Sequence, residues 1–191
     1  CANPLDAQVF SGKLGVPVSS TEVAIRDEHG NDLAPGETGE ICVRGPQVMR
    51  GYWNAPAETA RVLADDGWLR TGDMGWMDAR GYVEFAERSK DLIVVSGFKA
   101  YPTEIEDVVM LHPGVREAGA VGIPDARSGE AVALFVVKKD ADLTAEAVLA
   151  HCRQHLTGYK VPKHIEFRDA LPKSALGKIL RRELKASALR S

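Results

Sequence analysis

The stretch DLIVVSGFKAYPTEIEDVVMLHPGV, residues 91–115, decides how this chain folds. Its opening, DLIVVSG (91–97), is an apolar run closed by a glycine, as expected of a short buried strand. PTEIEDVVMLH (102–112) then reads as a helix. Pro102 stands near its start, acidic residues fill its early turns, and Pro113 follows its end. The same alternation continues downstream. EAGAVGI (117–123) and EAVALFVVKK (130–139) read as strands, and TAEAVLAHCRQHL (144–156) as an amphipathic helix with Thr144 as N-cap. KHIEFRD (163–169) is a further short strand, and the last residues are helical. Residues 89–191 are therefore expected to form a compact α+β domain, a small sheet packed by helices.

Upstream the pattern differs. TEVAIRD (21–27) alternates with period two, EHGND (28–32) is a turn, and GEICVRG (39–45) and GYVEFAER (81–88) are further strands. DARG (78–81) reads as a hairpin turn between MGWM (74–77) and YVEF (82–85). One short helix, PAETARVL (56–63), interrupts, with Pro56 at its first turn. Residues 1–88 are thus expected to form a β-rich, distorted barrel-like unit. The boundary falls in ERSKD (87–91), a charged stretch without an apolar anchor. The strands are few and begin mid-pattern with SGKLGVPV (11–18), and the chain opens at Cys1 rather than Met. Both features suggest a truncated or processed chain whose larger N-terminal body is missing.

Composition narrows the function classes. The 191 residues are 45% hydrophobic and 27% charged, enough for one or two packed domains. No run of about 18 apolar residues is present to span a bilayer. Cys1, Cys42 and Cys152 are dispersed and form no metal-ligand spacing, which points to a reducing compartment and no structural metal. Charge is uneven. Residues 1–150 carry 14 Lys+Arg and 24 Asp+Glu, a net of −10, whereas residues 151–191 carry 10 and 3, a net of +7. A basic end suits an anionic ligand, a nucleic acid or a membrane surface, or is simply a solvated helix face.

Five positions carry candidate chemistry. In LRTGDMGWMD (69–78), Thr71 and Gly72 are expected to turn and hold the Asp73 carboxylate at a strand start. A fixed carboxylate accepts two hydrogen bonds and clamps a cis-diol such as ribose. The same residues also fit an Asx-type turn. Arg88 reaches ribose or phosphate oxygens if it lies beside Asp73, and otherwise forms a surface ion pair. Lys90 stands at the domain boundary, where a polar residue serves as a hinge. In VSGFKAYP (95–102), Gly97 permits close backbone approach and Lys99 adds positive charge, as a narrow channel or a phosphate requires. In LPKSALGKILRREL (171–184), Lys178 follows Gly177 and precedes a helix-like run. It is either a surface lysine or an ammonium aimed at developing negative charge.

These blocks, in this order, resemble the acyl-adenylate-forming (AMP-binding) enzymes. GETGEICVRGPQVMRGYWN (36–54), GWLRTGD (67–73), ERSKDLIVVSGFKAYPTEIED (87–107) and LPKSALGKILRREL (171–184) carry the resemblance, which runs from about Ser11 to Leu184. SGFKAYPTEIEDVVMLHPGV (96–115), LTGYKVPKHIEFRD (156–169) and PKSALGKILRREL (172–184) are most similar to bacterial long-chain fatty-acid–CoA ligases. The resemblance implies a two-step reaction on a long-chain fatty acid. ATP and Mg²⁺ give an acyl-adenylate and pyrophosphate, and CoA then displaces AMP. It implies that Asp73 and Arg88 bind ribose, that Lys90 is the hinge, and that Lys178 is the catalytic lysine on a mobile loop of a lid domain. Ser96, Gly97, Phe98 and Lys99 would line the CoA channel.

The family's phosphate loop and its Tyr-Gly-x-Thr-Glu block, whose glutamate meets Mg²⁺, do not occur in these residues. They are expected upstream of residue 1, so no metal ligand is expected in this chain. Nor is tight binding of ATP, CoA or Mg²⁺ by this portion alone. The implied setting is the cytoplasm. A lipid substrate leaves peripheral contact with the inner membrane surface open. Two alternatives remain at this point, a ligase for another carboxylic acid and a non-catalytic lid or binding module. A nucleic-acid module is disfavoured, because the basic end has only Tyr159 and Phe167 as aromatics.

Overall fold

The computed structural model describes residues 1–4 and 13–190. Ser11 and Gly12, where the resemblance begins, lie outside the described residues. The chain divides into two units, Cys1–Lys90 and Asp91–Ser191.

In the first unit, β1 (Glu22–Arg26), β2 (Gly39–Arg44), β3 (Leu69–Met77) and β4 (Val83–Arg88) form an antiparallel sheet in chain order. The barrel-like form expected here is an open sheet. β1 and β4 are its outer strands, and four strands are too few to close a barrel. α1 (Pro56–Val62) follows β2, with Pro56 in its first turn and no buried residue. Period-two alternation turns Ile25, Ile41 and Val83 into a small core, with Val23, Leu33, Val43 and Met77 packed against it. Trp68 is buried under two guanidinium groups, Arg26 at 4.3 Å and Arg44 at 4.8 Å from the ring centre.

The β3–β4 turn is the expected DARG, and Asp78 organises it. Its Oδ1 accepts from the backbone N–H of Arg80 (2.9 Å) and of Tyr82 (3.0 Å). Its Oδ2 meets the Arg80 guanidinium (2.9 Å) and the Lys13 ammonium (3.2 Å).

In the second unit, β5 (Ile93–Val95) and β6 (Phe98–Ala100) form a hairpin, followed by α2 (Pro102–Met110). β7 (Val115–Asp125) and β8 (Gly129–Lys138) make a long antiparallel pair, then come α3 (Ala145–His155), β9 (His164–Arg168) and α4 (Arg181–Ala188). The sheet order is β6-β5-β8-β7, and β9 pairs with β8 in parallel. Both faces of the central pair are covered. Ala118, Ala120, Val132, Leu134 and Val136 face a core shared with Ile105 and Val109 of α2 and Val148 and Cys152 of α3. Val121, Ala133, Phe135 and Val137 face a second core with Leu171 and Leu184. Two covered faces explain why EAVALFVVKK reads as a continuous apolar run rather than an alternation. Thr144 caps α3, its side chain accepting from the Ala147 N–H at 3.2 Å. Cys42 and Cys152 are buried free thiols whose pKa burial pushes up, and Cys1 is exposed.

Asp78 yields a pH-dependent expectation. The Arg80 guanidinium, with the Tyr82 and Arg80 N–H groups and Lys13, holds its carboxyl well below the ordinary value of 3.8, against a smaller opposing effect of desolvation. A depressed folded pKa stabilises fully above the unfolded value and loses that contribution as the pH falls toward the folded one. Asp78→Asn is therefore expected to lower the denaturation midpoint at neutral pH. The variant and the parent should converge on acidification below the ordinary aspartate range, measured by urea titration at stepped pH.

Candidate functional site

The TGD block lies inside a strand rather than at its start. β3 runs through it, and the register against β2 breaks there: Cys42 pairs with Arg70, Glu40 with Met74. Residues 71–73 therefore bulge, and Gly72 takes φ +73° to let them. The bulge is well tied. Thr71 Oγ1 donates to the Ile41 carbonyl at 2.7 Å, the Asp73 N–H donates to Thr71 Oγ1 at 3.1 Å, and the Gly72 N–H donates to Glu40 at 3.0 Å. Bulging turns Asp73 toward β4, where Arg88 is its direct cross-strand neighbour. Arg88 Nε lies 2.8 Å from Asp73 Oδ1 as an ion pair. That contact lacks hydrogen-bond alignment, so the buried Oδ1 atom keeps its acceptor capacity. Oδ1 is closed to solvent, so the remaining exposure of the side chain leaves the other oxygen as the one a hydroxyl donor, such as a ribose edge, can reach.

VSGFKAYP forms a hairpin. Val95 pairs with Phe98, leaving Ser96 and Gly97 as a two-residue turn with φ +51° and +84°. Positive φ at both positions is the requirement of a type I′ hairpin. A Cβ on Gly97 would meet nothing within 4 Å, so the glycine serves backbone conformation and not close approach. Phe98 is 61% exposed and stacks on Tyr159 at 5.2 Å, and Lys99 is exposed beside it.

Lys178 sits on a second small hairpin. Lys173 bridges Ile179, the Leu180 N–H donates to the Pro172 carbonyl (2.9 Å), and the Ser174 N–H donates to the Lys178 carbonyl (2.8 Å). The helix begins only at Arg181, so residues 178–180 are not helical as the sequence suggested. The hairpin is closed by its own backbone hydrogen bonds, with Gly177 at φ +80° making the turn. The Lys178 side chain is exposed and makes no ion pair among the described residues. Its basic neighbours differ: Lys160 pairs with Glu104 (2.6 Å), Lys163 with Asp125 (2.9 Å), Lys173 with Glu117 (2.9 Å), Arg181 with Glu106 (2.7 Å) and Lys185 with Glu130 (3.0 Å). The basic end is thus largely neutralised within its own unit.

The structure brings Asp73 and Arg88 together in the first unit. It sets the Ser96–Lys99 turn and Lys178 near opposite edges of the second unit's sheet, beside β6 and β7 respectively. Lys90 is exposed in a single 3-10 turn, Ser89–Asp91, where the two units meet in sequence. Glu106, Arg181 and Glu117 around the Lys178 hairpin carried no sequence signal, because each pair joins residues far apart in the chain. Among the described residues no group of three His, Cys, Asp or Glu side chains is arranged to hold a metal ion. Among the described residues no helix is long and apolar enough to cross a membrane.

Two family models match the chain: the AMP-binding enzyme model over residues 1–53 and the AMP-binding enzyme C-terminal domain model over residues 104–178. The long-chain-fatty-acid–CoA ligase of Salmonella typhimurium is 58% identical over 186 residues, covering 97% of this chain and 33% of that protein. The long-chain-fatty-acid–CoA ligase of Bacillus subtilis is 51% identical over 175 residues, covering 91% and 31%. The crystal structure of ATP-bound MatB from Rhodopseudomonas palustris superposes with a TM-score of 0.90 at 37% identity, covering 97% of this chain and 37% of that one. The chain spans about a third of the length of the curated relatives it matches.

The Ser96–Gly97 turn makes a local prediction. Asparagine favours positive φ more than serine does, so Ser96→Asn should raise the urea midpoint. Gly97→Ala should cost about 1–2 kcal/mol, because a Cβ disfavours the left-handed region. Both are read by equilibrium denaturation.

Proposed function

Because this chain belongs to the AMP-binding enzyme family, we propose that it forms the C-terminal portion of an ATP-dependent long-chain fatty-acid–CoA ligase. The observation that carries the reading is Lys178, an exposed ammonium without an ion-pair partner among the described residues, presented by a tied hairpin.

In the reaction, a carboxylate oxygen of the fatty acid attacks the α-phosphorus of ATP. The bond to pyrophosphate breaks, and an acyl-adenylate forms. The thiol sulfur of CoA then attacks the acyl carbonyl, the C–O bond breaks, and AMP leaves. A free carboxylate is a poor electrophile, and the mixed anhydride supplies the leaving group. Mg²⁺, when bound, would neutralise phosphate charge in the first step, and among the described residues no group is arranged to hold it. Protein residues supply position and charge. Asp73 accepts from the ribose hydroxyls through the carboxylate oxygen turned away from Arg88, and Arg88 holds the buried one. Lys178 donates to the oxygens on which negative charge accumulates during adenylation. Lys90 is the hinge about which the second unit turns between the two steps. The exposed Ser96, Gly97, Phe98 and Lys99 turn borders the path of the CoA pantetheine arm. The site of action is the cytoplasm, with contact at the inner membrane surface where the lipid substrate is delivered.

Two measurements test this reading. In the complete polypeptide carrying these residues, Lys178→Ala should slow adenylation by about 10²–10³-fold, the usual cost of one lost transition-state donor, with fatty-acid binding retained. An unchanged adenylation rate removes Lys178 from the mechanism. The purified 191-residue chain, given ATP, oleate and CoA, should form no acyl-CoA, because the phosphate-loop block is not among its residues. Product formation by that chain alone would sink the assignment of the remaining machinery to another segment.

A further inference from the structure

Lys178 makes no ion pair of its own among the described residues, so its place is set by what its hairpin is fastened to. Three fastenings surround it. The strongest is Arg181, three residues on. Its Nη2 lies 2.7 Å from Glu106 Oε2 and 3.4 Å from Thr103 Oγ1, and its Nε lies 3.3 Å from Glu106 Oε1. The two side chains are only 21% and 13% exposed, so this is a sheltered two-pronged pair and not a surface ornament. Glu106 Oε1 also accepts from the Ala120 N–H at 2.8 Å. Among the described residues β7 pairs with β8 alone, so Ala120 presents that N–H on the sheet's outer edge. Glu106 therefore joins three elements at one point: α2, the edge of β7, and the start of α4.

The second fastening lies on the other side of the lysine. Lys173, five residues before it, pairs with Glu117 of β7 at 2.9 Å. The third is the floor. A Cβ on Gly119 of β7 would come within 2.8 Å of Leu184, 3.4 Å of Leu171 and 3.5 Å of Ile179. Those three side chains bracket the hairpin, and the missing Cβ lets them lie flat on the strand. Lys178 is thereby held at a fixed place relative to the sheet and travels with it.

We propose that Glu106 and Arg181 are positioning residues for Lys178: their ion pair, anchored on the edge of β7, sets where the lysine ammonium stands during adenylation. This rests on the reading of Lys178 given above. Neither residue touches substrate. Their effect is confined to the half-reaction that uses Lys178, which separates positioning from general stability.

The test uses the complete polypeptide carrying these residues and measures the two half-reactions separately. Pyrophosphate release from ATP and fatty acid reports adenylation. Acyl-CoA formation from supplied acyl-adenylate and CoA reports transfer. Glu106→Gln keeps the shape and removes the charge. It should lower the adenylation kcat by about 10–100-fold, as a misplacement of around 1 Å does, with a small change in the KM for ATP and transfer as in the parent. Arg181→Lys keeps the charge and loses the fork, and should fall between Glu106→Gln and the parent. In a Lys178→Ala background, Glu106→Gln should add no further loss, since both changes remove one function. Equal losses in both half-reactions overturn the inference, because a merely loosened fold slows both. Full adenylation in Glu106→Gln and Arg181→Lys, beside a defective Lys178→Ala, overturns the inference alone. Full adenylation in Lys178→Ala overturns the reading of the reaction and this inference with it. If Glu106→Gln fails to fold, the Arg181→Lys comparison decides by the same criteria.

Discussion

The double burial of the β7–β8 pair is the constraint on which the second unit depends. One face of that pair meets α2 and α3, and the other meets α4 and the Lys178 hairpin. Phe135, Leu134 and their neighbours are almost wholly removed from water, each contributing on the order of 1.5–3 kcal/mol relative to exposure. A sheet covered on both sides leaves only its edges and loop ends free. The turn at Ser96–Gly97 lies at one such margin, whereas the hairpin at 172–180 packs on a covered face and turns its Lys178 end to solvent. The packing thus fixes where chemistry is available and supplies the rigid base from which it is presented.

Helices and long strands were legible in the sequence because their signals are local. Pro102 and Pro113 bracket α2, Thr144 caps α3, and the apolar run of residues 131–137 announces β8. The candidate site was legible only in part. Asp73 and Arg88 could be named, but their pairing depends on a bulge that two extra residues force into β3. No periodicity encodes such a bulge. At Ser96–Gly97 a short apolar run, a serine-glycine pair and FKA amount to a hairpin once positive φ is considered at both turn residues, which apolar periodicity alone does not reveal. Glu106 and Arg181 stand 75 residues apart, beyond any local rule.

Charge shows the same contrast between what is local and what is not. The last forty residues look strongly basic when taken alone, as a surface for nucleic acid or lipid would. In the fold, Lys160, Lys163, Lys173, Arg181 and Lys185 each meet a carboxylate from residues 104–130. Complementary halves of one unit have been separated along the chain and rejoined in space. Most of these pairs are partly exposed and contribute little stability singly. Their collective effect is to take up much of the surrounding positive charge, while the lysine after Gly177 stays outside these pairs.

The carboxylate of Glu106 on the Ala120 N–H has a consequence for how the chain assembles. A bare sheet edge is a template for strands of other molecules. β7 would present one while α4 is still undocked, because closing a loop of 75 residues comes later than forming the neighbouring hairpin. Arg181 holds Glu106 over that edge once α4 arrives. The Glu106 carboxylate thus occupies one N–H of an edge that would otherwise be open at that point to a strand of another copy.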